Sequence, residues 1–260
     1  MSVLRVATYN IHKCCGLDRR VLPARIADVL LELDADVIAL QEVVRGKFRL
    51  RRRQHPPEDQ IHGITELLNA ARGRHQRPYS FCFGETRKLK TGAAYGNALI
   101  TRLPLLAWES YLLPLIRRER RGCLRADLEL APPSGKSRIL HLFNVHLGTG
   151  LRERRAQGPR LVSDEIVRRT GLSGPRIIAG DFNEWTLGLT TRLLRREFRS
   201  ADLERFTGRR RTYPGILPLL HLDHIYYDHH LRLVDFAVHR SRKALLASDH
   251  LPLVADFALA

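Results

Sequence analysis

"RIIAGDFNEW", residues 176–185, sets an apolar run in front of an acid, an aromatic, an amide and a second acid. Ile177, Ile178 and Ala179 read as a buried strand, and Gly180 as its break. In an extended chain side chains alternate, so Asp181 and Asn183 share one face while Phe182 points to the other and packs. That spacing presents two oxygen ligands together. Taken alone, it fits equally well a turn whose Asx cap opens the next helix.

Outward from this stretch, apolar patterning divides the chain into short strands and helices. "VLRVATYN" (3–10) alternates like a strand, "PARIADVLLELD" (23–34) carries helical spacing behind a proline suited to a first turn, and "ADVIALQEV" (35–43) reads as a buried strand. Residues 45–60 are basic, contain proline and read as a loop. A helix at 60–72 follows, then strands near 79–84, 96–102, 105–113, 122–130 and 138–147. Next come a helix over 151–169, the strand 175–180, a helix near 189–197 and strands at 221–228, 231–239 and 251–258. Strand-rich stretches interspersed with helices imply an α/β sandwich, two packed sheets flanked by helices. With no internal repeat and no low-complexity linker, the 260 residues are expected to form a single domain over 1–260.

The bulk properties exclude several classes. No apolar run approaches the roughly 18 residues of a membrane span. The start, "MSVLRVATYNIH", lacks a basic segment followed by a long apolar one, so no secretory signal is expected. Cys14, Cys15, Cys82 and Cys123 form no C-x-x-C pair and read as reduced thiols of a cytoplasmic protein. The charge is unusual: 44 basic against 27 acidic residues, a net +17 supplied mostly by arginine. Such an excess attracts polyanions, either nucleic acid or an anionic lipid surface, or it reflects the arginine codons of a GC-rich genome. Its densest runs are at 45–53, 117–125, 152–155 and 205–211.

Six strand ends carry a residue suited to metal or phosphate. "TYNIH" delivers Asn10, "IALQEV" Glu42, "LFNVHLG" Asn144 and His146, and "AGDFN" Asp181 and Asn183. "LLHLDHIYY" embeds Asp223 in an apolar strand, and "ASDHLPLV" sets Asp249 and His250 before the last one. Any one of these is ordinarily structural. Together they carry more weight, because an acid inside an apolar strand is costly unless it is paired or binds a metal.

In order, "TYNIH", "ALQEV", "YGNALITRLPL", "RGCLRADLEL", "NVHLG", "GDFNEW", "LDHIYY" and "SDHLPL" resemble the endonuclease/exonuclease/phosphatase (DNase I-like) superfamily, from residue 5 to 258. "NIHK", "RRGCL" and "RTYPGILPLLHLDHIYY" look most like a bacterial cytoplasmic subgroup often encoded beside a cardiolipin synthase. The resemblance implies a four-layer α/β sandwich with the site at one edge of the two sheets. It implies a divalent metal, Mg²⁺ or Mn²⁺, held mainly by Glu42 with Asn10 and Asp249, since oxygen-only ligation suits these ions. His250, oriented by Asp223, would be the base for an attacking water, and Asp181 would address metal or water. His146 would donate to the phosphate or protonate the leaving oxygen, while Asn183, Arg121 and Asn97 would hold the phosphate.

The resemblance thus implies a metal-dependent phosphodiesterase or phosphatase, nuclease-like on the strength of the charge, with nucleic acid as substrate. A phospholipid head group or another small phosphorylated molecule is the alternative. No stable protein partner is expected, and the protein should be a monomer. His12, His221, His224, His229 and His230 have no matched role, and Glu184 falls on the side of Phe182, outside the site. DNase I-type enzymes orient their first histidine with a glutamate just before the strand at 96–102. "TGAAYGNAL" offers no acid there, so His146 is left to Asn97, to backbone or to no partner. No apolar β-hairpin of the kind that secreted sphingomyelinases insert into membranes is evident.

Overall fold

A computed structural model of the protein describes residues 3–46, 59–72, 76–115, 119–131, 137–185, 188–204 and 211–259. The basic runs at 47–53 and 205–210, and Arg117 and Arg118, lie outside the described residues.

Two six-stranded mixed sheets pack face to face. The first holds β1 (Leu4–Asn10), β2 (Val37–Arg45), β3 (Ser80–Lys88), β4 (Ala94–Thr101), β11 (Leu231–Val238) and β12 (Leu253–Leu259), in the order β11-β12-β1-β2-β4-β3. The second holds β5 (Leu105–Leu112), β6 (Gly122–Leu130), β7 (Arg138–His146), β8 (Arg176–Asp181), β9 (Arg199–Ser200) and β10 (Asp223–Tyr227), in the order β5-β6-β7-β8-β10-β9. Helices α1 (Pro23–Leu33), α2 (Gln60–Ala70) and α6 (Arg242–Ala247) cover the first sheet. Helices α3 (Leu151–Leu161) and α4 (Leu189–Leu194) cover the second, and the single turn α5 (Ala201–Glu204) follows β9.

Strict alternation builds the layers. Val6, Val37, Ala39, Leu142, Ile177, Ala179 and Ile225 face the space between the sheets. Their chain neighbours Ala7, Ile38 and Leu40 pack under the helices of the first sheet. Phe143, Ile178 and Tyr226 pack under those of the second. Three cores between four layers result, the four-layer sandwich that the sequence implies. Among the described residues no helix is long and apolar enough to cross a membrane. All four cysteines are buried and free.

Three local expectations change. The helix expected over 151–169 stops at Leu161, and the chain turns so that Ile166 and Val167 enter the core as Leu161 does. Helix α6 was not anticipated, although Ser241 caps it by accepting from the Ala244 amide at 3.1 Å. Strand β8 ends at Asp181, and Asn183 takes a left-handed φ of 50°, so the two do not share a strand face by alternation.

Candidate active site

The inter-sheet face is apolar along most of its length and polar at one end. Followed upward by twos, β1 runs Val6, Thr8, Asn10; β7 runs Leu142, Asn144, His146; β8 runs Ile177, Ala179, Asp181; β10 leads from Ile225 to Asp223. Register puts these ends level, with His146 opposite Asp181 and Asp181 opposite Asp223. Just below the rim, buried amides stitch the sheets together. Gln41 donates to Asn144 Oδ1 at 2.8 Å, and Asn144 donates to the Leu40 and Ala98 carbonyls at 2.9 and 2.7 Å.

Asn97 belongs to this stitch. Its amide donates to the carbonyls of Gly122 and Asn144, at 3.1 and 3.2 Å. This corrects the expectation that Asn97 holds phosphate: it faces the inter-sheet space one rung too deep, and its donor is committed to backbone.

Above the stitch lies a cavity of about 300 Å³, walled by Asn10, Glu42, Asp181, Asp249, His146 and His250. Arg121, Asn183, Thr149, Trp185, Tyr213, Leu220 and Leu222 complete the wall. Glu42 reaches it only through an irregularity. Alternation would aim Glu42 at the helices with Leu40, but the register between β2 and β4 shifts between Leu40 and Val43, and Glu42 has φ 59°. A bulge of this kind re-aims a side chain at a site. Gly180 is also compelled: its φ is 152°, and a Cβ there would lie 1.9 Å from the Val145 carbonyl oxygen.

Asp181 is the hub. Its Oδ2 accepts from Asn10 Nδ2 at 2.9 Å and its Oδ1 from the Asn183 backbone amide at 2.9 Å. His146 Nε2 and His250 Nε2 stand 3.5 and 3.8 Å from Oδ2. Burial and nearby Asp223 raise the Asp181 carboxyl, against the pull of His250. His250 Nδ1 bonds Asp223 Oδ2 at 2.9 Å, which leaves Nε2 facing the cavity. Burial would lower the His250 imidazole, yet Asp223 and Asp181 raise it. Tyr213 packs on its ring with centroids 4.9 Å apart.

Asp181, Asp223 and His250 offer atoms within 4.8 Å of one another, as metal ligands do. Asp223, however, is fully buried behind His250 and does not reach the cavity. The trio is therefore better described as an imidazole oriented by one carboxylate and facing another.

His146 has a different environment. Arg121 Nη1 lies 3.2 Å from its Nδ1, and a guanidinium only donates, so Nδ1 accepts and Nε2 carries the proton. Burial and the Arg121 charge hold this imidazole well below its ordinary range, so it is neutral. Arg121, not Asn97, orients it. A neutral Nε2–H stabilises an oxyanion by hydrogen bonding and is a poor proton donor.

The carboxylate of Glu42 is ion-paired with the Lys13 ammonium. Burial would raise its carboxyl, but the Lys13 and Arg121 charges outweigh that and hold it well below the usual range. Glu42 thus stays ionised and already takes a cation. With Asn10 and Asp249 beside it in the cavity, the donors are all oxygen, a set that suits Mg²⁺ or Mn²⁺. Lys13 was missed by sequence reasoning, although it follows directly on "TYNIH". Tyr213 and Trp185 were missed as well, because an aromatic side chain carries no charge or ligand atom that marks it as a site residue.

His224, one residue beyond Asp223, alternates away to the outer face. It bonds Asp202 Oδ2 through Nδ1 at 3.2 Å and the Glu184 carbonyl through Nε2 at 3.0 Å. His221 Nε2 stands 3.5 Å from the same Asp202 oxygen. Glu184 accepts from the amide and hydroxyl of Thr191, at 2.9 and 2.7 Å, in the first turn of α4. These residues pack together in the layer behind the site.

Burial would raise Asp202, but His224 lowers it to about 2 from 3.8, while Asp202 in turn raises His224 above 6.5. The depressed carboxyl contributes about 2 kcal/mol that is present above pH 3.8 and lost as the pH falls toward 2. The raised imidazole contributes stability that is full below pH 6.5 and lost as the pH rises through its folded value. Asp202→Ala should therefore cost about 3–5 kcal/mol in urea unfolding, since His224 loses its buried partner. The gap to wild type should be widest between pH 3.8 and 6.5 and narrow on either side. A pH-independent gap would refute this coupling.

A profile of the Endonuclease/Exonuclease/phosphatase family matches residues 7–250. The chain belongs to that family. Its members are hydrolases acting on phosphoester bonds, and metal-dependent phosphoesterases and nucleases make up the superfamily. Escherichia coli K12 YbhP, itself uncharacterized, is 29% identical over 260 residues, covering 98% of this chain and 96% of YbhP. Among solved structures, a family protein from Leptotrichia buccalis superposes with TM-score 0.75 at 17% identity, covering 99% of each chain. The catalytic domain of human nocturnin, solved with a bound sulfate anion, superposes with TM-score 0.70 at 20% identity, covering 99% of this chain and 94% of that domain's chain. At such identities these likenesses speak for the fold.

Proposed function

We propose that the protein is a divalent-metal-dependent phosphodiester hydrolase that uses a single in-line attack of water. The observation that carries this reading is the convergence, in one cavity, of an Asp223-oriented His250, an Arg121-oriented His146 and the carboxylates of Glu42, Asp181 and Asp249. His250 accepts the proton of the attacking water through Nε2, while Asp223 holds Nδ1–H. Asp181, facing both imidazoles, keeps the water and the phosphoryl group in line. His146 donates Nε2–H to a phosphoryl oxygen. Arg121 supplies its guanidinium to the phosphate beside the side chain of Asn183. Glu42, Asn10 and Asp249 would hold the cation, which supplies charge stabilisation at the phosphoryl oxygens and lowers the proton affinity of His250.

The cavity is not a closed pocket for one small molecule. A second cleft of about 370 Å³ shares Arg121 and Thr149 with it and continues past Gly148 and Glu153. This extension favours a diester, whose phosphate is substituted on both sides. The test is hydrolysis of bis(p-nitrophenyl) phosphate against p-nitrophenyl phosphate in Mg²⁺, with and without EDTA, followed by a panel of plasmid, single-stranded DNA, RNA, phospholipid vesicles and inositol phosphates. Diester hydrolysis should depend on metal and disappear in Asp181→Ala. EDTA-insensitive hydrolysis, or full activity in that variant, would overturn the proposal.

A further inference from the structure

Three of the most exposed large apolar side chains in the described chain stand within four residues of one another. Ile216, Leu217 and Leu219 are 63%, 64% and 56% exposed. They form the tip of a loop closed at its base, where the Leu220 amide donates to the Tyr213 carbonyl at 2.7 Å and the Tyr213 amide to the Leu220 carbonyl at 3.1 Å. The loop is tied to the catalytic segment, with the Gly215 amide bonded to the Asp249 carbonyl at 2.6 Å. Tyr213 and Leu220 line the cavity, so the tip projects from its rim.

Other rim segments are apolar too. Trp185 lines the cavity and is 53% exposed; Leu151, two residues past the lining Thr149, is 55% exposed. Scattered surface leucines need no explanation, but a cluster around one cavity does. Exposed arginines accompany it: Arg211 leads into the loop, and Arg152 and Arg155 lie on the turn of α3 whose Arg154 covers the Trp185 ring at 5.4 Å.

We infer that this rim seats the cavity on an anionic phospholipid bilayer, so that the diester taken is a phospholipid head group. The inference rests on the phosphodiesterase reading for its substrate, though not for its docking surface. A duplex or single strand presents its phosphates outermost in water, where aliphatic side chains beside the cavity gain nothing. A bilayer presents each phosphodiester directly above acyl chains. A side chain reaching past the phosphate there enters hydrocarbon, while neighbouring arginines meet the anionic surface. Hydrolysis adds water across one P–O ester bond: one product keeps the phosphate, and the other leaves as the alcohol carrying the proton.

The test is co-sedimentation with sucrose-loaded vesicles of phosphatidylcholine, alone or with roughly a third phosphatidylglycerol. Wild type should bind the anionic vesicles. The triple variant Ile216→Ser/Leu217→Ser/Leu219→Ser should bind them about tenfold or more weakly. Its kcat on bis(p-nitrophenyl) phosphate should stay at wild-type level, because none of the three lines the cavity. In Trp108→Phe, Trp185 is the sole tryptophan, and its emission should shift to the blue on anionic vesicles. Soluble-diester hydrolysis without vesicle binding would overturn the docking alone. Vesicle binding without hydrolysis of any diester would support the docking and overturn the phosphodiesterase reading. Vesicle binding that ignores the three substitutions, or their loss affecting only oligonucleotide binding, would overturn the docking as well.

Discussion

Replacing His250 by alanine is expected to lower kcat on a phosphodiester by about 10²–10⁴-fold, the usual contribution of a positioned general base. KM should change little, because Arg121 and Asn183 remain in the cavity. The loss should be shared with Asp223, whose carboxylate holds Nδ1 of His250 at 2.9 Å. Asp223→Ala alone should therefore cost a large part of the same factor. The double variant should be scarcely worse than His250→Ala, since the two act as a unit. Steady-state kinetics on bis(p-nitrophenyl) phosphate at saturating Mg²⁺ measures all three. Additive losses in the double variant, or an active His250→Ala, would mean that another group takes the proton.

The second large effect belongs to Glu42. A bound divalent ion contributes several kcal/mol of transition-state stabilisation, so Glu42→Gln should lower kcat by about 10³-fold or more. Gln keeps the shape and removes the charge that Lys13 now balances. Wild type should lose activity in EDTA and regain it in Mg²⁺ or Mn²⁺. In Glu42→Gln the residual activity should need a higher Mg²⁺ concentration to saturate. A wild-type Mg²⁺ dependence in the variant would move the metal away from Glu42, toward the Asp181 side of the cavity.

Much of this architecture was legible in the amino-acid order because period-two alternation is a local property. Val6, Thr8 and Asn10, or Ile177, Ala179 and Asp181, must share a face if their strands are straight, and they do. The same rule separates Asp223 from His224. The resemblance of the motif order to a known family supplied the roles proposed for Glu42, Asp249 and His250, which no periodicity reveals. Where the rule breaks, the reading broke with it. Asn183 lies beyond the end of β8, and it reaches the cavity through a left-handed backbone, not by alternation. Asn97 obeys the alternation but sits one rung below the rim, a depth set by the register of β4 against β2.

The apolar loop at 213–220 shows the remaining gap. In sequence, "PGILPLL" runs straight into the strand that carries Asp223, and its aliphatic residues look like core. Whether such residues are buried depends on what packs above them, and among the described residues nothing covers Ile216, Leu217 or Leu219. The chain therefore carries a short exposed apolar tip at the cavity rim, which local order does not distinguish from core.

By itself the sequence determined most of the strands and the strand ends that carry polar residues, because each follows from neighbours in the chain, while the resemblance supplied the four layers. Only the tertiary structure decided that a bulge turns Glu42 into the cavity, that Arg121 sets the tautomer of His146, and that Ile216, Leu217 and Leu219 stand in water. Each of those depends on a pairing between residues far apart in the chain, or on its absence, and neither is written in local order.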